Sequence, residues 1–153
     1  MNIRKSTLDD IELLIMLRVD FLRDGGTLKT EDETTIRRQL NRYFTEHLAN
    51  GTFIGVLAEI DGTAVSAAYL SISEKPANPR FITGVTGVLM NVLTYPAYRG
   101  RGIATRVIQR LMDEARQSGV RAIDLSATES GKPLYEKLGF SVSNHTYMSI
   151  GLT

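Results

Sequence analysis

Apolar residues recur along this chain with two different periods, and the changes of period mark out the elements. From Ile103 onward they fall at Ile103, Ala104, Val107, Ile108, Leu111, Met112 and Ala115, the spacing of one buried helix face. An earlier stripe of Leu8, Ile11, Leu14, Ile15, Val19 and Leu22 follows Ser6, Thr7, Asp9 and Asp10, the pattern of a capped helix start, and Gly25-Gly26 ends it. A second helix is predicted from about Asp32 to Ala49. Thr30 and Glu33 offer it a capping box, Ile36, Leu40, Tyr43, Phe44 and Leu48 its buried face, and Asn50-Gly51 its stop. Arg37, Arg38 and Arg42 read as its solvated side.

Strand character follows a different rule. Asn2 to Lys5 can form a short edge strand. Thr52 to Ile60 and Thr63 to Ser73 are rich in β-formers and are joined by Asp61-Gly62, a strong hairpin signal. Pro76 and Pro79 keep the segment 74–80 out of the sheet. The run Val85 to Leu93 is nearly continuously apolar from Val88, which predicts a central strand covered on both faces. Gly119 stops the long helix, and Arg121 to Ser126 reads as a short strand. Thr128 to Lys132 is a polar loop, and Pro133 opens a short helix, Leu134 to Leu138, capped by Gly139. Phe140 to Ile150 is strand-like. The order β-α-α-β-β-β-α-β-α-β predicts an α/β layer with mixed pairing and at least one right-handed crossover over 88–126. With no internal repeat or linker, residues 1–153 are expected to form one domain.

Composition narrows the function classes. The formal net charge is +1, so no global field argues for nucleic acid or an anionic membrane as a partner. The absence of cysteine excludes disulfides, thiolate metal sites and a cysteine nucleophile. Two histidines without cysteine make a dedicated transition-metal site unexpected, so no metal is predicted. No leader-like apolar region follows Met1 and no run reaches membrane-spanning length, so a cytoplasmic protein is expected. A homodimer is left open.

The chemistry concentrates at Leu93-Thr94-Tyr95-Pro96-Ala97-Tyr98-Arg99-Gly100-Arg101-Gly102-Ile103-Ala104. The helix that begins here lacks a Ser, Thr, Asp or Asn cap, so its first N–H groups have no side-chain acceptor. Free N–H groups, the positive end of the helix dipole and two arginines favour an anion. Neither Gly-x-x-x-x-Gly-Lys-Ser/Thr nor Gly-x-Gly-x-x-Gly is present, Thr105 standing where the latter needs its third glycine. The pattern Arg/Gln-x-x-Gly-x-Gly/Ala is met by Arg99 to Ala104. Here, and again at Pro133-Leu134-Tyr135-Glu136-Lys137-Leu138-Gly139-Phe140, the sequence resembles the GNAT superfamily of N-acetyltransferases, as do the element order and motif spacing.

The resemblance implies a mixed, mostly antiparallel sheet with a splayed central strand pair and helices on both faces. It implies acetyl-CoA as co-substrate, its pyrophosphate held by backbone N–H groups from about Arg99 to Thr105. Gly100 and Gly102 would allow close approach and Arg99 and Arg101 would add charge, with Ile103, Ala104 and Thr105 as the first helical turn. The pantetheine arm would lie along the backbone of Val92, Leu93 and Thr94 like an added strand. The Val92 N–H would hold the thioester carbonyl, and Tyr135 would protonate the departing thiolate as general acid. The alternative reading of Tyr135 is a half-buried partner of Phe140. Relatives often carry a glutamate where this chain has Val88, and often an asparagine where it has Thr128. Asn91 cannot serve as base, Glu59 is expected to be exposed, and His145 reads as structural. Deprotonation through water, or an amine of low pKa, stays open. Arg37, Arg38, Tyr43, Tyr69 and Glu59 offer no clear code for the acceptor. The expected activity is acetyl transfer to a small-molecule or peptide amine by direct attack in a ternary complex. The rival readings are a sensor of the same fold that binds acyl-CoA without turnover, and a nucleic-acid binder using arginines 99, 101, 106, 110 and 116, which the near-neutral charge disfavours.

Overall fold

A computed structural model describes residues 1–153. Five strands, β1 (Asn2–Lys5), β2 (Phe53–Ile60), β3 (Thr63–Glu74), β4 (Val85–Thr94) and β5 (Ala122–Asp124), form one sheet in sequence order. All neighbours are antiparallel except β4 and β5, which are parallel and joined by helix α3 (Ile103–Gln117). The predicted Asp61-Gly62 hairpin turn forms, both residues taking positive φ (51° and 77°) as a two-residue turn of the favoured twist requires. Helices α1 (Ile11–Asp24) and α2 (Glu33–Asn50) cover one face with Leu14, Leu17, Val19, Leu40 and Phe44. α3 covers the other with Ile103, Val107, Ile108 and Leu111, and α4 (Lys132–Lys137) packs at the margin of that second core through Leu134 and Tyr135. No helix is long and apolar enough to cross a membrane.

The helix starts divide. Thr7 caps a short 3-10 turn that leads into α1, and the Asp10 carboxylate accepts the Thr7 N–H at 2.7 Å in return. The second capping box does not form: the Glu33 carboxylate binds Arg23 at 2.6 Å and Arg37 at 3.1 Å instead. An arginine on the neighbouring helix outbids a backbone N–H because charge-assisted bonds are the stronger kind. Leu8, assigned to the buried stripe, is half exposed because it lies in the 3-10 turn, while Leu17 fills that place fully buried.

Two further expectations are corrected. The strands buried on both faces are β2 and β3 rather than β4. β4 alternates, with Leu89, Asn91 and Leu93 buried and Val88 exposed, and β5 pairs only with Thr86, Gly87 and Val88 before leaving it. Phe140 to Ile150 does not form a strand: the segment after α4 has no regular structure and is exposed. Its alternating pattern is present, but alternation specifies a face and not a partner, and no backbone hydrogen bond ties the segment to the sheet.

Candidate active site

The junction of β4 with α3 is built by local constraints. Pro96 opens a 3-10 turn over Pro96–Tyr98, and Gly100 and Gly102 take φ of 77° and 75°, a region that side-chain-bearing residues enter only at a cost. A Cβ built on either glycine would meet nothing within 4 Å. The two positions therefore face open space.

Backbone donors converge there. No N–H from Gly100 through Thr105 finds an acceptor in the chain, and the Arg106 N–H is the first to close onto the helix, at 3.3 Å from Gly102 O. The Arg99 N–H belongs to Pro96 O, so the donor run begins one residue later than predicted. A cavity of about 260 Å³ opens onto these atoms, lined by Thr94, Tyr98, Arg99, Gly100, Gly102, Ile103, Ala104, Thr105 and Leu134. It gathers seven of the predicted cofactor positions, together with Leu134 from the short helix. Arg99 Nε donates to Thr94 O at 2.8 Å, and Arg101 donates to Ala97 O at 3.2 Å with its guanidinium 5.4 Å from the Tyr98 ring centre. Both arginines brace the turn, and Arg99 also lines the cavity.

The strand leading to the turn is irregular at the place the resemblance singles out. Tyr69 pairs with Met90 and Ala67 with Leu93, so Asn91 and Val92 bulge out opposite Ala68, and Asn91 takes φ of 55°. Beyond Val88 the β5 side of β4 has no partner strand. The backbone of Leu89 to Thr94 thus presents a free edge beside the cavity. Ser66 Oγ donates to Leu93 O at 2.8 Å and holds the other side of the strand in the sheet.

The bulge exposes a pair that the sequence alone did not connect. Asn91 is 2% exposed, its Oδ1 accepts from Arg18 at 3.3 Å, and its Nδ2 has no partner. Arg18, on α1, is half-buried beside Phe21, 5.8 Å from the ring centre. It joins none of the molecule's ion pairs, and burial pushes its pKa below the usual arginine value. No local pattern in the sequence links Arg18 to a bulge 73 residues away.

Tyr135 lies in α4 one residue after Leu134. Its ring packs edge-on against Phe140 at 6.0 Å, its hydroxyl has no hydrogen-bond partner, and burial raises its pKa. The phenol therefore stays protonated well past neutrality. Thr128 accepts the Gly131 N–H at 3.1 Å and orders the loop before α4. Among the other residues considered, Tyr69 belongs to the core, where its hydroxyl donates to Leu14 O at 2.8 Å. Glu59 is not free and exposed as expected: Arg4 holds it at the β1 edge, far along the sheet from β4. His145 lies exposed in the irregular segment and on no strand.

An open-edged strand, a bulge and a donor-rich glycine turn ahead of a helix are what the resemblance to N-acetyltransferases implies for the fold, and the comparisons agree on the family. The sequence profile of the acetyltransferase (GNAT) family matches residues 16–140. The chain belongs to this family and is an N-acetyltransferase. It is 31% identical over 149 residues to an acetyltransferase of Pectobacterium atrosepticum, covering 92% of this chain and 87% of that one. A glucosamine 6-phosphate N-acetyltransferase of Trypanosoma brucei brucei is 35% identical over 81 residues, and that match spans about half of each chain (52%). The crystal structure of a predicted acetyltransferase from Clostridium acetobutylicum with acetyl-CoA superposes with a TM-score of 0.88 at 33% identity, covering 98% of this chain and 95% of that one.

Proposed function

We propose that this chain binds acetyl-CoA with its diphosphate on the N–H groups of Gly100 to Thr105 and transfers the acetyl group to an amine by direct attack in a ternary complex. The observation that carries the reading is the run of backbone donors without acceptors, aimed at a cavity whose glycine walls leave room for phosphate oxygens. The bound thioester supplies an activated acyl group. The free edge of Val92, Leu93 and Thr94 receives the pantetheine arm by strand-like hydrogen bonding. The Val92 N–H faces the charge that develops on the carbonyl oxygen, a contribution of about 3 kcal/mol for one preorganised donor. Tyr135, protonated and unpartnered, delivers a proton to the departing sulfur.

On the acceptor side we propose an amine that also bears an acidic group. Arg18 is a half-buried cation with one weak bond, and an unpaired buried charge is costly unless a ligand completes it. Asn91 Nδ2 adds an unused donor beside it. The trypanosomal relative is named for an amine that carries a phosphate. Thiol release from acetyl-CoA, measured across amines paired with their acidic counterparts, tests both halves. No thiol release with any amine, together with no binding of acetyl-CoA, would sink the enzymatic reading. Equal rates for neutral and acidic amines would remove only the role of Arg18.

A further inference from the structure

The reaction proposed above leaves one proton without a destination. The attacking amine must lose it, and no carboxylate stands at Val88 to take it. The two faces of β4 narrow the search. Val92 and Thr94 turn toward the α3 side, where the donor-rich cavity and Tyr135 lie, while Leu93 and Tyr95 turn toward α1 and α2. With the cofactor on the first side, the acceptor has the second, where Arg18 and Asn91 already meet.

Tyr95 stands on that second face, just past the open edge. Its N–H donates to Val65 O at 3.0 Å, which fixes the residue against β3. Its hydroxyl donates to Asp20 of α1 at 2.5 Å, the short distance of a phenol on a charged carboxylate. Arg18 and Tyr95 both lie close enough to the Tyr69 hydroxyl for their charges to act on it, so the two side chains border one region.

Asp20 differs from the chain's other fixed carboxylates. Asp10, Glu33, Glu46, Glu59, Asp113 and Glu114 each accept a hydrogen bond from an arginine. Asp20 accepts its only one from the phenol. Arg23 stays 3.6 Å from its other oxygen, and Asp24 is the further charge near Tyr95. A carboxylate bonded to a guanidinium is a poor proton acceptor, because protonation gives up the ion pair. The Asp20 side chain is 30% exposed, so a proton that reaches it can pass on to water. Burial, and then the bond to Asp20, push the Tyr95 hydroxyl above the usual tyrosine range. It keeps a proton at neutral pH and can only pass one along.

We propose that Tyr95 and Asp20 carry the proton away from the attacking amine. The amine nitrogen bonds to the acyl carbon, and the carbonyl electron pair moves onto oxygen. As the nitrogen gives its proton to Tyr95 Oη, the phenolic proton passes to Asp20 Oδ2, so Tyr95 ends neutral. The C–S bond then breaks as the carbonyl reforms, and the sulfur takes its proton from Tyr135. Water removes the proton from Asp20 and restores the one on Tyr135, leaving an amide and a free thiol.

The inference rests on the acetyl-transfer reading, and the test separates the two. Thiol release is followed in the full chain with each amine the native protein accepts, glucosamine 6-phosphate and β-alanine tried first, beside calorimetry with acetyl-CoA. Asp20→Asn keeps an oxygen for the phenol's hydrogen bond but cannot take a proton, and Tyr95→Phe keeps the ring but breaks the path. Each should lower kcat by about 10²-fold, with the KM for the amine and the affinity for acetyl-CoA little changed. If Asp20 only tethers α1 to β4, Asp20→Asn will turn over like the native protein. That result, or full activity of Tyr95→Phe, overturns the proposal and leaves acetyl transfer standing. A native chain that releases thiol with no amine overturns both. The two variants cut the path at different atoms, so either decides the matter where the other fails to fold.

Discussion

Placing a carboxylate at the glycine turn separates ligand contact from backbone strain. Gly102 has φ of 75° and its missing Cβ faces open space, so Gly102→Glu incurs conformational strain without a clash. That strain is about 1–2 kcal/mol, which for a domain of this size lowers Tm by roughly 2–8 °C. The same strain arises at Gly119, where φ is 82° and nothing lies within 4 Å, at the far end of α3. Only at residue 102 does the new side chain enter the space in front of the free N–H groups. A carboxylate about 6 Å from a phosphate charge costs roughly 1–3 kcal/mol per charge in the dielectric of a protein surface. Calorimetry with acetyl-CoA should therefore show affinity reduced by at least about tenfold in Gly102→Glu and unchanged in Gly119→Glu. Thermal unfolding should show comparable losses in both. Equal affinities in the two variants would refute the assignment of the turn.

Tyr135→Phe should lower kcat by about 10²-fold or more while acetyl-CoA affinity stays within error; full activity would exclude the phenol. Burial raises the Tyr135 pKa, so the protonated, active form persists below an alkaline limb displaced upward from the ordinary tyrosine range, and that limb should vanish in the variant. Arg18→Gln should lower kcat/KM for acidic amines by roughly 10- to 100-fold, as expected for a charged hydrogen bond of about 1.5–3 kcal/mol, and leave neutral amines unaffected. Asp10 is held below the usual carboxylate pKa, first by its bonds to Arg4. Its contribution to stability is accordingly present above about pH 4 and lost as pH falls further. Asp10→Asn should destabilise by about 1–3 kcal/mol and flatten the acid limb in urea titrations.

Much of the fold was legible because the signals are local. The hairpin at Asp61-Gly62 and the stops at Gly51 and Gly119 follow from which residues tolerate positive φ. The first capping box was legible for the same reason. The second was not, because Arg23, on another helix, competes for Glu33. β4 read as doubly covered because an apolar run does not say whether a layer lies over each of its faces, and Val88 is left exposed.

The same division runs through the site. By itself the sequence determined the cofactor half: glycine conformation and an uncapped helix start are properties of adjacent residues, and they yield free donors wherever the helix is packed. Only the tertiary structure brought together the pair proposed for the acceptor and left the far edge of the sheet open. Arg18 meets Asn91 because α1 lies over the β4 bulge, a contact between distant parts of the chain. The strand pattern after Phe140 was equally visible in the sequence, but alternation specifies a face and not a partner. The open edge of β5 and the cavity beside it exist only once the sheet has formed.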